Sequence, residues 1–211
     1  MKLSISTLIM LLLGTQVAFA QFTKGEKELI TRFSGSINKS NNDIREIKSQ
    51  NISTVNQFGW FLKDNLSFGV IASYRYNDYY YDQDNDSKDE REGHYLAGGL
   101  YVRRYFNLNR WAFYIQSDLA YERRKDFRSL KTNSARTTHE ELSDAVSFSV
   151  NAGVQFKINE WFSLEGALNP FLNASIYNQN SINDASYSQL SFNPNFNLAL
   201  SGLSFGARFS L

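Results

Sequence analysis

The chain has 211 residues, with 22 basic and 21 acidic side chains, two histidines and no cysteine. The balanced charge argues against nucleic acid as a partner, and the lack of cysteine excludes disulfides, thiolate metal sites and a cysteine nucleophile. Beyond the first twenty residues no apolar run is long enough for a membrane helix, so any membrane-spanning part must consist of strands.

The first segment of the chain has the pattern of a secretory signal. Lys2 gives a basic start, LIMLLLG supplies an apolar core over 8–14, and AFA is a small-x-small cleavage site. We predict Sec-dependent export and cleavage between Ala20 and Gln21, which leaves one domain over 21–211. An uncleaved anchor is the alternative, although the apolar core is too short to span a bilayer.

Alternation with a period of two predicts β-strands along most of the remaining chain. It is cleanest over 142–158, where only Asp144 interrupts the apolar face. It is poorest over 52–62, where Val55 and Phe61 fall on the polar face. In chain order, the eight predicted strands cover 28–38, 52–62, 66–77, 94–106, 111–122, 142–158, 161–172 and 196–211, the last with a register change near Gly202.

The connections between these strands alternate in length. Three short ones lie near 63–65, 107–110 and 159–160, and four long ones cover 39–51, 77–93, 123–141 and 173–190. Short turns on one side and long loops on the other are typical of membrane barrels with both termini on the short-turn side. The predicted fold is therefore an all-β, eight-stranded antiparallel up-and-down transmembrane β-barrel. Pro170 is expected at or above the outer rim, because a closed barrel has no edge strand for it.

Period two alone does not say whether the apolar face meets lipid or a protein core, because a soluble lipocalin-like barrel alternates as well. The tryptophans favour lipid. All three lie beside short connections on the apolar face, where such rings form the aromatic girdle of membrane barrels, and tyrosines at the far strand ends would form a second belt. The predicted girdle residues are Trp60, Trp111, Trp161, Tyr74, Tyr76 and Tyr121.

The other face of the strands carries charges of both signs among small residues. An eight-stranded lumen is barely wide enough for its own side chains, so these charges have to pair with one another. On the lipid face an Arg or Lys costs about 2–4 kcal/mol at the midplane, and four of the predicted lipid faces carry none. The predicted lumen charge network comprises Arg32, Arg75, Arg103, Asp118, Lys157, Glu165 and Arg208.

Three hairpin sequences, GWFLKDNLSFGV, GGLYVRRYFNLNRWAFY and FKINEWFSLEGAL, resemble the small outer-membrane β-barrel family, the OmpX-like and OmpA-barrel-like proteins also described as porin-like. The resemblance covers most of the chain beyond the signal. It implies the outer membrane of a Gram-negative cell and recognition by the barrel-insertion machinery. A non-enzymatic role is a separate prediction, because the resemblance specifies architecture and not activity. The family usually ends in Phe, whereas this chain ends Phe209-Ser210-Leu211.

The charges of two long connections have opposite signs. Residues 77–92 hold seven acids and two bases, whereas 123–138 hold six bases and one acid. We expect these segments to attract one another outside the barrel, with spare basic groups facing the phosphates of lipopolysaccharide. The predicted lipopolysaccharide-facing loop comprises Arg123, Arg124, Lys125, Arg128 and Lys131.

The leading functional prediction is a structural or surface-interaction protein whose four extracellular loops meet an unknown ligand or partner, with outer-membrane lipid around the barrel. No catalytic residue, metal or cofactor is predicted. One alternative is a small porin-like channel. A second is a lipid A-modifying enzyme using His94 with a serine and an acid, and a third is a soluble periplasmic barrel.

Overall fold

The computed structural model describes residues 22–42, 45–83, 87–132, 135–168, 170–180, 186–194 and 204–211. In these ranges no helix is long and apolar enough to cross a membrane. The predicted cleavage site at Ala20 and Gln21 and the predicted register change near Gly202 lie outside them. The strand segments are β1 (Lys27–Asn42), β2 (Arg45–Lys63), β3 (Leu66–Gln83), β4 (Ser87–Leu108), β5 (Trp111–Thr132), β6 (Ala135–Lys157), β7 (Phe162–Ala167), β8 (Leu172–Asn180), β9 (Ser186–Pro194) and β10 (Ser204–Ser210).

The ten segments form eight antiparallel strands in a closed ring. Segments β7 and β8 both pair with β6 and make up the seventh strand, and β9 and β10 lie along the eighth. Consecutive strands are neighbours, and the ring closes where β10 pairs with both β7 and β1. This confirms the predicted eight-stranded up-and-down barrel.

Three short turns join the strands at one end of the barrel, close to the predicted positions. Asn65 and Asn109 take positive φ angles of 61° and 55° in the first two turns. Asparagine tolerates this left-handed region better than other residues with side chains, which explains its place at both turns. In the third turn, the Asn159 side chain accepts hydrogen bonds from the backbone amides of Trp161 and Phe162.

The prediction that the four long connections are loops is wrong for their described parts, which are mostly strand. For example, β4 and β5 pair from Leu108 and Trp111 out to Ser87 and Thr132. Polar residues on both faces erase the hydrophobic period, yet they do not prevent backbone pairing. We call the ranges 39–51, 77–93, 123–141 and 173–190 the first, second, third and fourth hairpin arms.

The prediction that Pro170 lies at or above the outer rim is also wrong. It interrupts the seventh strand between β7 and β8, and Leu172 just beyond it pairs with Val150, which itself pairs with Ser117 in the middle of β5. The wall tolerates the proline because pairing stops around it. The amides of Leu168 and Phe171 still donate to carbonyl groups of β6.

Burial in this barrel is reversed relative to a water-soluble protein. Arg103 and Arg208 inside are at most 1% exposed, whereas Phe33, Leu119 and Phe205 outside are 63%, 53% and 68% exposed. Lipid chains cannot hydrogen-bond or hydrate ionised groups, so a polar interior with an apolar exterior fits a protein surrounded by hydrocarbon.

The height of the apolar exterior matches a bilayer. On β5, Trp111 and Tyr121 both point outward and are ten residues apart. At about 3.4 Å per residue and a tilt of about 40°, they are about 26 Å apart across the membrane, close to the apolar band of about 25 Å on known barrels. The fold is that of a transmembrane β-barrel, as predicted.

Candidate functional site: the lumen and the hairpin arms

A fully buried arginine fills the lumen near the short turns. Arg103 on β4 donates from Nη1 to Glu165 Oε2 at 2.7 Å and from Nη2 to Glu165 Oε1 at 3.2 Å. Its Nε donates to Gln116 Oε1 at 2.6 Å and its Nη2 to Gln57 Oε1 at 2.9 Å. The fork of the guanidinium therefore ties β4 to its neighbour β5 and to the more distant strands β2 and β7.

A second buried ion pair lies beside the first. Arg208 Nε donates to Glu28 Oε2 at 2.7 Å, so the first and last strands are joined inside the barrel as well as through their backbones. The hydroxyls of Tyr101 and Tyr105 donate to the same carboxylate at 3.0 and 2.7 Å. We call Glu28, Arg103, Glu165 and Arg208 the lumen plug.

The chain entering β1 covers the short-turn end of the lumen plug. The Phe22 ring is buried, with its centre 4.5 Å from that of Tyr105 and 4.2 Å from the guanidinium of Arg208. The backbone amide of Asn65 donates to the Phe22 carbonyl at 3.0 Å. An aromatic ring on a buried cation keeps water from this end without removing the charge pairing.

Above the lumen plug the barrel interior holds a cavity of about 420 Å³. Arg32 lies on its floor, with Nε 3.7 Å from Glu165. Asp118 lies across from it and accepts hydrogen bonds of 2.5 Å from both Gln116 and Asn151. Ten of its sixteen lining residues are polar, seven of them serine or asparagine and three charged, so it suits water or a small polar solute.

The next layer of charges lies towards the hairpin arms. Arg75 Nη2 is 2.9 Å from Glu122 Oε2, and Arg124 also donates to Glu122. The Arg124 guanidinium lies 4.4 Å from the centre of the Tyr177 ring. This layer is partly exposed, so the lumen opens towards the arms and is closed at the short turns.

The structure places six of the seven predicted lumen charges in these layers. Lys157 is the exception. It lies at the third short turn and makes no ion pair with any residue that the structure describes. Glu28 was not predicted to belong to the network, although it falls on the polar face of the first predicted strand. The hydrogen-bonding glutamines and tyrosines of the lumen were not predicted either, and their phase along the strands was the signal that could have indicated them. These residues are Gln57, Gln116, Tyr101, Tyr105 and Tyr114.

The predicted aromatic girdle residues lie at the two edges of the apolar exterior. Trp60, Trp111 and Trp161 are exposed beside the short turns. Towards the arms, the Tyr74 hydroxyl lies 2.8 Å from His94 Nδ1, and the Tyr76 ring packs on the same imidazole at 5.2 Å. At that edge Tyr121 also donates to Asp144 Oδ1 at 2.6 Å.

The predicted basic loop is strand rather than loop, and its residues face two ways. Because alternation continues along β5, Arg124 and Arg128 point to the inner side, whereas Arg123, Lys125 and Lys131 point outward. Lys125 Nζ is 2.8 Å from Glu140 Oε1 on the neighbouring strand. The five residues therefore do not form one surface.

The second and third arms are joined by one carboxylate. Asp89 Oδ2 accepts hydrogen bonds from Arg91 Nη2 at 2.7 Å and Arg128 Nη2 at 2.9 Å. The hydrogen bond from Arg91, followed by that from Arg128, lowers the pKa of Asp89 to about 2. This carboxyl is ionised at any physiological pH, and the contact joins the acidic arm to the basic one.

Within the described residues, the His94 imidazole has two side-chain hydrogen-bond partners, Tyr74 and Glu92, the latter at 3.2 Å. Among the side chains that the structure describes, no serine hydroxyl bonds to His94. The described residues also contain no cluster of three His, Cys, Asp or Glu side chains placed to hold a metal ion.

No protein-family model and no curated protein matches this chain. Several solved structures resemble it. Ail, the attachment invasion locus protein of Yersinia pestis, is 11% identical with a TM-score of 0.37, covering 90% of this chain and 100% of Ail. The N-terminal β-barrel domain of Pseudomonas aeruginosa OprF is 14% identical with a TM-score of 0.34, covering 89% and 100%.

The β domain of the Bordetella autotransporter BrkA is 13% identical with a TM-score of 0.41, covering 89% of this chain and 80% of that domain. All three TM-scores are below 0.5. The assignment of this chain as a transmembrane β-barrel therefore rests on its own strand pairing and on its reversed burial.

Proposed function

We propose that this chain is a non-enzymatic outer-membrane β-barrel of a Gram-negative cell, whose hairpin arms contact ligands or partners outside the cell. The observation that carries the proposal is the reversed burial, with Arg103 and Glu165 sealed inside an apolar exterior of bilayer height. An export signal before such a barrel fits insertion by the outer-membrane machinery. The closed short-turn end favours a structural or binding role over conduction.

Cell fractionation and gel mobility test this proposal. We expect the protein in outer-membrane fractions, with faster migration before boiling than after, because a folded barrel binds less detergent than an unfolded chain. Recovery in the soluble periplasm would instead favour a soluble barrel. Purified protein in planar bilayers should show no stable unitary conductance, since the buried side chains of the lumen plug are expected to block the flow of ions. A steady conductance would favour the channel.

The partner surrounding the barrel is proposed to include lipopolysaccharide, and an outward groove supports this. The groove, of about 390 Å³, lies where the apolar exterior meets the third arm. Its lining includes Leu96, which pairs with Arg123, and Leu142, which pairs with Lys125, so the two cations lie level with the apolar side chains. Cations beside apolar side chains at the edge of the apolar exterior suit a phosphorylated headgroup whose acyl chains lie alongside the barrel wall.

The double substitution Arg123→Gln and Lys125→Gln tests the headgroup contact. We expect about tenfold weaker binding of lipopolysaccharide to the detergent-solubilised barrel, because charge-assisted hydrogen bonds to phosphate are lost. Titration with fluorescent lipopolysaccharide measures this. Arg136→Gln, at the tip of the same arm, is the matched control. If dephosphorylated lipopolysaccharide binds the wild type as tightly as the phosphorylated form, the proposed phosphate contact does not exist.

A further inference from the structure

The inner side of the second and third arms encloses a cavity of about 670 Å³ that the lumen plug and the lipid groove do not use. It lies above the charged layer of Arg75 and Glu122, on the part of β3 to β6 that continues beyond the barrel wall in one sheet with β1 and β2. Its walls combine tyrosine rings with charges of both signs. A concave polar site of this size is large enough for a small solute.

A row of basic residues crosses the outer part of this cavity. In the strand register, Arg91 pairs with Arg128, and Arg128 pairs with His139. Like charges directly opposite each other on a sheet are unfavourable unless an anion lies between them. Asp89 supplies that anion in the free protein, and the Arg91 guanidinium also lies 5.7 Å from the Tyr79 ring centre.

A row of acidic residues crosses the same cavity two positions nearer the barrel. Here Gly93 pairs with Asp126, and Asp126 pairs with Glu141. The Tyr95 hydroxyl donates to Asp126 Oδ1 at 2.8 Å, which fixes the orientation of this carboxylate.

Gly93 keeps the floor of the cavity open. A Cβ added there would lie 2.6 Å from Asp126 Oδ1 and 2.7 Å from the Tyr95 hydroxyl. A side chain at this position would displace the ends of the Asp126 and Tyr95 side chains, so glycine leaves their hydrogen bond undisturbed.

The distance between the basic row and the acidic row determines which length of ligand can contact both. Rows two residues apart on a strand are about 6.8 Å apart, and the charged ends of an extended dipeptide are about 6 Å apart. We propose that this cavity binds a dipeptide-sized zwitterion, with its carboxylate on Arg128 and its ammonium group on Asp126. The ligand carboxylate takes over the hydrogen bonds that Arg128 gives to Asp89. This deepens the proposed surface-interaction role and rests on it only for access from outside the cell.

Calorimetric titration of the detergent-solubilised barrel tests the ligand class. Alanyl-alanine is expected to bind, and its N-acetylated and C-amidated forms about tenfold more weakly, because each loses one charge-assisted contact. Tetra-alanine, whose charged ends lie about 13 Å apart when extended, should also bind about tenfold more weakly. If acetate competes as well as the dipeptide, or if chain length has no effect, the zwitterion proposal is wrong.

Charge-removing variants test the two ends of the ligand separately. Arg128→Gln should weaken binding of the dipeptide about tenfold and leave the already weak binding of its C-amidated form unchanged. Asp126→Asn should likewise weaken binding of the dipeptide about tenfold and leave the weak binding of the N-acetylated form unchanged. Arg136→Gln on the outward side of the same arm should change nothing. Equal effects of all three variants would overturn the proposal. Because these titrations use purified barrel, their failure would not affect the outer-membrane assignment, which fractionation tests separately.

Discussion

Replacing Glu165 by alanine is expected to lower the free energy of unfolding by about 3–5 kcal/mol, because the change leaves a fully buried guanidinium without its carboxylate. Arg103 is bonded to Glu165 through both Nη atoms, and the Tyr114 hydroxyl donates to the same carboxylate at 3.0 Å. Urea unfolding of the barrel in lipid vesicles, followed by tryptophan fluorescence, measures the change.

Glu122→Ala provides the matched control for this prediction. Glu122 is also an ion-paired carboxylate of the lumen, but the side chains of its partners Arg75 and Arg124 are 44% and 25% exposed. Water can replace the lost partner there, so we expect a loss of about 1 kcal/mol or less. If Glu165→Ala is no more destabilising than Glu122→Ala, the lumen plug does not contribute as described.

A double variant separates the loss of the pair from the exposure of one charge. Replacing Arg103 by Met and Glu165 by Leu removes both ionised groups and retains similar volume. Such exchanges of buried ion pairs for apolar residues are often neutral or stabilising. We therefore expect the double variant to be clearly more stable than Glu165→Ala alone, despite the loss of two polar side chains rather than one.

The fold was predictable because alternation over the barrel wall has a single physical cause. Residues such as Leu119 and Phe205 face lipid and their neighbours face a polar lumen, so a period of two appears wherever the wall crosses the bilayer. The tryptophans beside the short turns gave the orientation of that wall. Both signals are local in the sequence, so the fold could be predicted from them without knowing which distant residues contact one another.

The pairing inside the lumen was not predictable in the same way. Arg208 and Glu28 are 180 positions apart, and only the closure of the ring brings them together. Phe61, a misfit on the polar face, proves to lie inside, at 5.2 Å between its ring centre and that of Phe22. Its phase placed it on this face, but the reason an apolar ring fits there is the cover provided by Phe22, which periodicity does not record.

The arms show a signal that sequence reasoning could have used. Continuing the phase of 111–122 along the chain places Arg124 and Arg128 on the inner side and Arg123 and Lys125 on the outer side. The ranges were predicted to be loops because hydrophobic alternation stops where the chain leaves lipid. Side-chain alternation depends on backbone pairing, which continues in water.

Placing a charge at Ile115 is expected to lower the free energy of unfolding by about 2–4 kcal/mol in a bilayer, because arginine at the midplane loses its hydration. Ile115 is outward, 46% exposed, and close to midway between Trp111 and Tyr121 on β5. The variant Ile115→Arg should show this loss in urea unfolding from lipid vesicles.

The same charge outside the bilayer is the control that assigns the cause. Thr138 is exposed on the outward face of the third arm, so Thr138→Arg introduces an arginine on a strand of the same sheet where water is present. Its expected effect is within about 0.5 kcal/mol. If Ile115→Arg is equally harmless, the exterior at that height does not face hydrocarbon, and the barrel would have to be soluble with an apolar surface covered by another protein.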